Sequence, residues 1–113
     1  MRLKVRSRDV ELSEDLRGRV EAAVLAALER FGRRIGLVKV RLAAPASAAG
    51  ARCRLTVRLE PVGGIAVEER GPSATACLAR ALERVAAVIP RELLRRRSLR
   101  TSRQLQPALV TLK

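Results

Sequence analysis

The sequence predicts an α+β domain, a β-α-β-β-β-α two-layer sandwich in which a four-stranded sheet carries two helices on one face. Three observations point there. Three short stretches alternate apolar with polar residues, as half-buried strands do, a fourth follows a glycine turn as the return strand of a hairpin, and two longer ones repeat their apolar residues every three or four positions, as amphipathic helices do. No apolar run approaches the roughly 18 residues that a membrane span requires.

The first strand is "RLKVR" at 2–6, with Leu3 and Val5 inward and Arg2, Lys4 and Arg6 outward. Ser13 is the expected N-cap of the first helix, followed by Glu14 and Asp15, where the helix dipole favours acid. Leu16, Val20, Ala23, Val24, Ala27, Leu28 and Phe31 form one apolar stripe. Arg33, Arg34 and Gly36 are expected to close this helix, cations and a glycine suiting a C-terminus. "LVKVRL" at 37–42 is the second strand, with Lys39 and Arg41 outward, and "AAPASAAGA" at 43–51 is a loop. The third strand, "RCRLTVRL" at 52–59, buries Cys53, Leu55, Val57 and Leu59 and turns Arg52, Arg54 and Arg58 to water. "PVGG" turns the chain into "IAVEER", so the third and fourth strands form a hairpin. Ser73 caps the second helix, which buries Leu78, Ala81, Leu82, Val85 and Ile89; Pro90 is expected to kink or restart it. The periodicity fades after Arg100, giving a domain over 1–100 and a flexible tail over 101–113.

Nearly half of the 113 residues are apolar and only Phe31 is aromatic, so one aliphatic core is available. Cys53 and Cys77 read as small buried residues, since there is no CxxC spacing and no histidine to complete a metal or redox site. The start, "MRLKVRSRDVEL", has no signal-peptide hydrophobic stretch, so a cytoplasmic location is expected.

Charge carries the functional signal. The chain has 24 basic and 11 acidic residues, a net charge of +13. A high-GC genome would favour arginine over lysine, so that choice carries little functional information, but such a bias does not exclude Asp and Glu and leaves the excess over acid unexplained. The predicted solvent face of the sheet gathers Arg2, Lys4, Arg6, Lys39, Arg41, Arg52, Arg54 and Arg58, relieved mainly by Glu68. On the second helix Arg80, Arg84, Arg91 and Arg95 step by four, seven and four and so share a narrow arc, and Arg96 and Arg97 are further candidate contacts on the same helix; Arg19, Arg30 and Arg33 form a weaker stripe on the first. A solvated face explains any one of these arginines. The set as a whole repels itself without an anionic ligand, and nucleic acid is the first candidate. With no stacking aromatics, contacts would go to phosphates and sugars.

Catalysis finds little support. His, Tyr and Trp are absent, as is any Walker-type loop or metal-ligand cluster. Glu68 and Glu69 are neighbours on a strand and point to opposite faces. Asp9 and Glu11 suit capping or ion pairing near the first helix. No enzyme activity, cofactor, metal or small-molecule substrate is expected.

The segment "VELSEDLRGRVEAAVLAALERFGRRIGLVKVRL" resembles the ribosome hibernation-promoting factor / ribosome-associated inhibitor A (protein Y) family in its short form. The matching residues are Val10, Glu11, Leu12, Ser13, Glu14 and Leu16, then Leu28, Glu29, Arg30 and Phe31, then Ile35, Val38, Val40 and Leu42. The glycine turn, "VEERG" and the closing helix follow in the family's order, so the resemblance spans about residues 1–96. It implies a fold similar to double-stranded-RNA-binding domains and a ribosome-binding role. The partner would be the small ribosomal subunit and its rRNA, in the mRNA/tRNA channel, with translation blocked under stress and no membrane involved. The family's basic positions late in the second helix are matched by Arg84, Arg91 and Arg95. That helix begins Ser73, Ala74, Thr75, Ala76, Cys77, Leu78, Ala79, without the tyrosine and acids of the family's D-M/L-Y-A-A-I-D, and Ala22, Ala23, Ala26 and Ala27 stand where the family carries lysines. A structured or double-stranded RNA-binding module without a ribosomal role, and an adaptor for an acidic protein, are the other readings that the residues allow.

Overall fold

The computed structural model describes residues 1–8, 11–44, 50–61, 63–101 and 109–112, with side chains as far as residue 95. Asp9, Val10, most of the 43–51 loop, Val62 and the side chains of Arg96 and Arg97 lie outside the described residues. The order is β1 (Arg2–Arg8), α1 (Glu14–Leu28), β2 (Ile35–Ala43), β3 (Ala51–Leu59), β4 (Gly64–Gly71), α2 (Ala74–Thr101) and β5 (Leu109–Leu112), in a sheet ordered β1-β2-β3-β4-β5. β1 and β2 are parallel, which requires a crossover, and α1 supplies it. β2, β3 and β4 are antiparallel neighbours.

Both helices lie against one face because only that face is apolar. Val38, Val40 and Leu42 of β2 pair with Val57, Leu55 and Cys53 of β3, and Leu55 and Val57 pair onward with Val67 and Ile65 of β4. These eight side chains are at most 2% exposed and form one cluster with Val20, Val24 and Leu28 of α1 and with Leu78, Ala81, Val85 and Ile89 of α2. Both expected caps are in place. Ser13 Oγ accepts from the Leu16 N–H at 3.1 Å and Ser73 Oγ from the Ala76 N–H at 3.2 Å, each satisfying a donor that the first helical turn leaves orphaned.

Four features differ from the periodicity. The first α-helix ends at Leu28 and tightens into a 3₁₀ segment, Glu29–Arg34, where Gly32 takes φ 53°. The terminating glycine is therefore Gly32 rather than Gly36, which belongs to β2 beside the irregularity between Ile35 and Leu37. β2 accordingly begins two residues earlier than the alternation suggests. α2 continues through Pro90 as one helix. Pro90 is exposed, so water can hydrate the carbonyl that its ring deprives of an N–H partner, while Ile89 and Leu93 hold the helix to the core. Finally, Leu109–Leu112, within the stretch expected as a tail, pairs in parallel with Gly64–Val67 of β4. "LVTL" is too short to show a period against its surroundings.

Gly50 leads into β3 at φ 94°, and a Cβ there would come within 2.6 Å of the Gly71 carbonyl oxygen. Gly50→Ala should lower stability by about 1–2 kcal/mol from backbone strain alone, measured as a shift of the urea midpoint with unchanged slope. An unchanged midpoint would mean that the β3 entry relaxes freely.

Candidate nucleic-acid interface

The face of the sheet away from the helices is where the cations meet. Strand register sorts them into rows. Arg6 of β1 lies beside Arg41 of β2, Arg41 beside Arg54 of β3, and Arg54 beside Glu68 of β4. The next row towards the N-terminus of β1 holds Lys4, Lys39 and Thr56; the next in the other direction holds Arg8, Ala43, Arg52 and Arg70. Arg2 and Arg58 flank Leu37 in the last. Strands are about 4.8 Å apart, and same-face residues along a strand about 6.7 Å. The result is a two-dimensional array of cations.

All eight sheet residues expected from the alternation are on this face. Two more join them, Arg8 and Arg70. Each is two residues beyond a recognised outward position, Arg6 and Glu68, so the period of two could have found them. Ser7, a polar residue in an inward slot, and the run "EER" hide the pattern.

Among the described residues Glu68 is the one carboxylate on the plate. It lies 3.8 Å from Arg54, with both side chains 40% exposed, a geometry that neutralises little in water. Arg6–Arg41, Arg41–Arg54 and Lys4–Lys39 are like charges side by side. At about 5 Å each pair costs roughly 0.8 kcal/mol even at the dielectric constant of water. An anion lying across the rows reverses the sign of that term. The surface is also concave. A depression of about 380 Å³ is lined by Lys4, Arg6, Lys39, Arg41, Arg54 and Thr56. A second, of about 480 Å³, takes in Arg6, Arg8, Arg41, Arg52 and Arg54.

The second-helix arginines have different surroundings. Glu69, paired in register with Cys53, faces the helices and is 16% exposed. Arg84 reaches from α2 to form an ion pair with it, and also donates to the Glu68 carbonyl at 3.5 Å. Arg80, one turn earlier, donates to the Arg70 carbonyl at 3.4 Å. Glu68 and Arg70 are two apart, so their carbonyls leave the strand on the same side. β5 pairs only as far as Val67, and Arg80 and Arg84 cover the β4 edge beyond it. Arg95 donates to Glu92 on its own helix at 2.8 Å, and this bond and its charge raise the Arg95 pKa further. Two of the four stripe residues, Arg84 and Arg95, thus have carboxylate partners within the chain, while Arg80 and Arg91 are exposed. Arg30 and Arg33 are exposed on the 3₁₀ segment after α1 and are not part of the strand rows, with the Arg30 guanidinium 4.8 Å from the Phe31 ring centroid.

Nothing about the thiols suggests chemistry. Cys53 and Cys77 are free and buried. Burial pushes the Cys53 pKa up to about 12 and raises that of Cys77, whose Sγ lies 3.3 Å from the Ala51 carbonyl. Both remain protonated at neutral pH, the form that neither attacks nor binds metal. Among the described residues no three Cys, Asp or Glu side chains are grouped to hold a metal ion. No described helix is long and apolar enough to cross a membrane.

The sequence profile described as "Sigma 54 modulation protein / S30EA ribosomal protein" matches residues 3–97. Among solved structures, the N-terminal domain of protein Y from Thermus thermophilus is similar at 30% identity and TM-score 0.69, over 80% of this chain and 98% of that one. A ribosomal subunit interface protein from Coxiella burnetii shares the fold at 12% identity and TM-score 0.60, over 87% of this chain and 99% of that one. No curated protein matches the chain in sequence.

The pair at the β4 edge sets a prediction. Arg84→Ala leaves the partly buried Glu69 carboxylate without its guanidinium and should cost on the order of 1–2 kcal/mol. Arg91→Ala, at an exposed position, should cost less than about 0.5 kcal/mol. Thermal melts of the two variants decide this, and equal melting points would show that the Glu69 contact contributes nothing.

Proposed function

The chain belongs to the sigma 54 modulation protein / S30EA ribosomal protein family, and on that premise we propose that it silences idle ribosomes by occupying the small subunit. In this reading its basic plate grips ribosomal RNA in the channel that messenger and transfer RNA otherwise use, and translation is blocked by occupancy under stress. The family is one of ribosome-associated factors and not a known enzyme class. The proposed role is stoichiometric, with no cofactor or small-molecule substrate, and it is exercised in the cytoplasm.

The observation that supports it most is the array of cations in strand register against one exposed carboxylate. Its outward positions offer no aromatic ring and one uncharged hydroxyl, Thr56, so phosphate contacts would dominate over base readout. Guanidinium forks suit phosphate oxygens, and a rigid sheet fixes the backbone spacing from which they project, so binding orders side chains but not the main chain. The names of the two structural relatives, a protein Y domain and a ribosomal subunit interface protein, agree with a ribosomal partner.

Within α2 the proposed contacts divide. Arg80 and Arg91 would extend the plate around the β4 edge, and Arg96 and Arg97 are proposed as RNA contacts on the strength of their charge alone. Arg84 and Arg95 would act mainly through Glu69 and Glu92, so charge reversal there tests folding as much as binding. The decisive substitutions belong on the sheet.

Arg6→Glu, Arg41→Glu and Arg54→Glu together should reduce co-sedimentation with small subunits by at least about a hundredfold in affinity. Milder replacement by Gln should lower the slope of log affinity against log salt by about 2–3, as expected for three lost phosphate contacts. Competition with transfer RNA for the subunit is expected of the unmodified chain. Binding to free duplex RNA but not to subunits would favour a general RNA-binding module instead, and normal pelleting of the reversed variant would place the interface elsewhere.

A further inference from the structure

We propose that linear inorganic polyphosphate is a second ligand of the open sheet face, seated in its two depressions and competing there with RNA. The inference rests on the reading of that face as a phosphate-binding surface, and it follows from what the face lacks.

A nucleic acid differs from a bare phosphate chain by its sugars and bases. A surface that selects the nucleic acid must touch those parts, by stacking or by directional polar contacts. Here the outward row positions are Arg or Lys, apart from Leu37, Ala43, Thr56, Gly64, Ala66 and Glu68. None is aromatic, and none presents the donor–acceptor pair with which Asn or Gln reads a base edge. Every attractive feature of the plate is therefore satisfied by phosphate oxygens alone.

The geometry favours a dense anion. Arg6, Arg41 and Arg54 stand side by side on three adjacent strands and line both depressions. The strands that carry neighbouring cations are about 4.8 Å apart, closer than the roughly 6.7 Å between same-face residues along a strand. In polyphosphate a single bridging oxygen joins successive phosphorus atoms, with no sugar between, so consecutive charges are closer than in RNA. A chain laid across the strands offers phosphates more closely spaced than the strands themselves, so each of the three guanidinium forks finds one within reach. Release of counterions from so dense a polyanion adds to the drive, as it does for nucleic acids.

The test titrates the full chain with fluorescently labelled medium-chain sodium polyphosphate at near-physiological ionic strength, following anisotropy. In parallel, unlabelled polyphosphate is added to chain bound to small subunits before sedimentation. Binding is expected, with release from the subunits. Arg6→Gln, Arg41→Gln and Arg54→Gln together should weaken polyphosphate binding by at least about tenfold. Replacing the same three by Lys keeps the charge, loses the fork, and should give an intermediate loss. Should the Gln variant melt early, Glu68→Gln provides the opposite sign, since removing the plate's carboxylate should tighten binding about two- to threefold. If the chain pellets with subunits but does not bind polyphosphate, the proposal is overturned and the ribosomal reading stands. Polyphosphate binding by a chain that ignores subunits supports the proposal and overturns that reading. Undiminished binding by the Gln variant puts the ligand on another surface and overturns the proposal.

Discussion

One-sided burial of the sheet is the constraint on which the rest of this structure depends. A pleated strand sends alternate side chains to opposite faces, so a strand that packs against helices on one side must expose its other residues to water. The core is aliphatic throughout, with Leu55, Val57, Val40 and Val38 closed off entirely beneath α1 and α2. Such a core has no polar handle to relieve a misplaced residue. A slip of one position along β3 would bury Arg54 and Arg58 and expose Leu55 and Val57, at a cost no surface contact could offset. Hydrophobic burial thereby holds the register, and the register holds the cations in rows.

The same constraint explains how two adjacent acids on β4 come to serve different ends. Glu68 points to the open face, where it weakly offsets Arg54. Glu69 points to the helical side, where solvent is scarce, and a guanidinium from α2 accompanies it. The pairing fastens α2 across the β4 edge, together with the hydrogen bond from Arg80 to the strand's carbonyl. Arginines of one helix stripe thus divide between holding the fold and extending its charged surface. The repulsion that remains is concentrated on the sheet, where a rigid scaffold can bear it and an anionic ligand can relieve it.

Much of this was legible in particular residues. Ser13 and Ser73 sit at helix starts because their hydroxyls reach back to orphaned N–H groups, a local matter. The alternations of β1, β2 and β3 predicted both the faces and eight of the plate's cations. The helix end at Leu28 was not legible, since Phe31 continues the apolar spacing through a 3₁₀ turn and Gly32 breaks it by adopting a positive φ. Pro90 argued for a break, yet tertiary packing on either side of it carries the helix through.

By itself the sequence determined the order of the first four strands and two helices, the buried set, the two caps and the excess of positive charge, because each depends on local spacing or on composition. Tertiary structure alone decided which cations stand together and which acids answer them. Register between strands made neighbours of Arg6, Arg41 and Arg54 from three separate segments, and the docking of α2 brought Arg84 to Glu69. It also supplied β4 with a parallel neighbour in β5. Periodicity reports the side on which a residue lies; what stands beside it there is settled only when the strands pair and the helices pack.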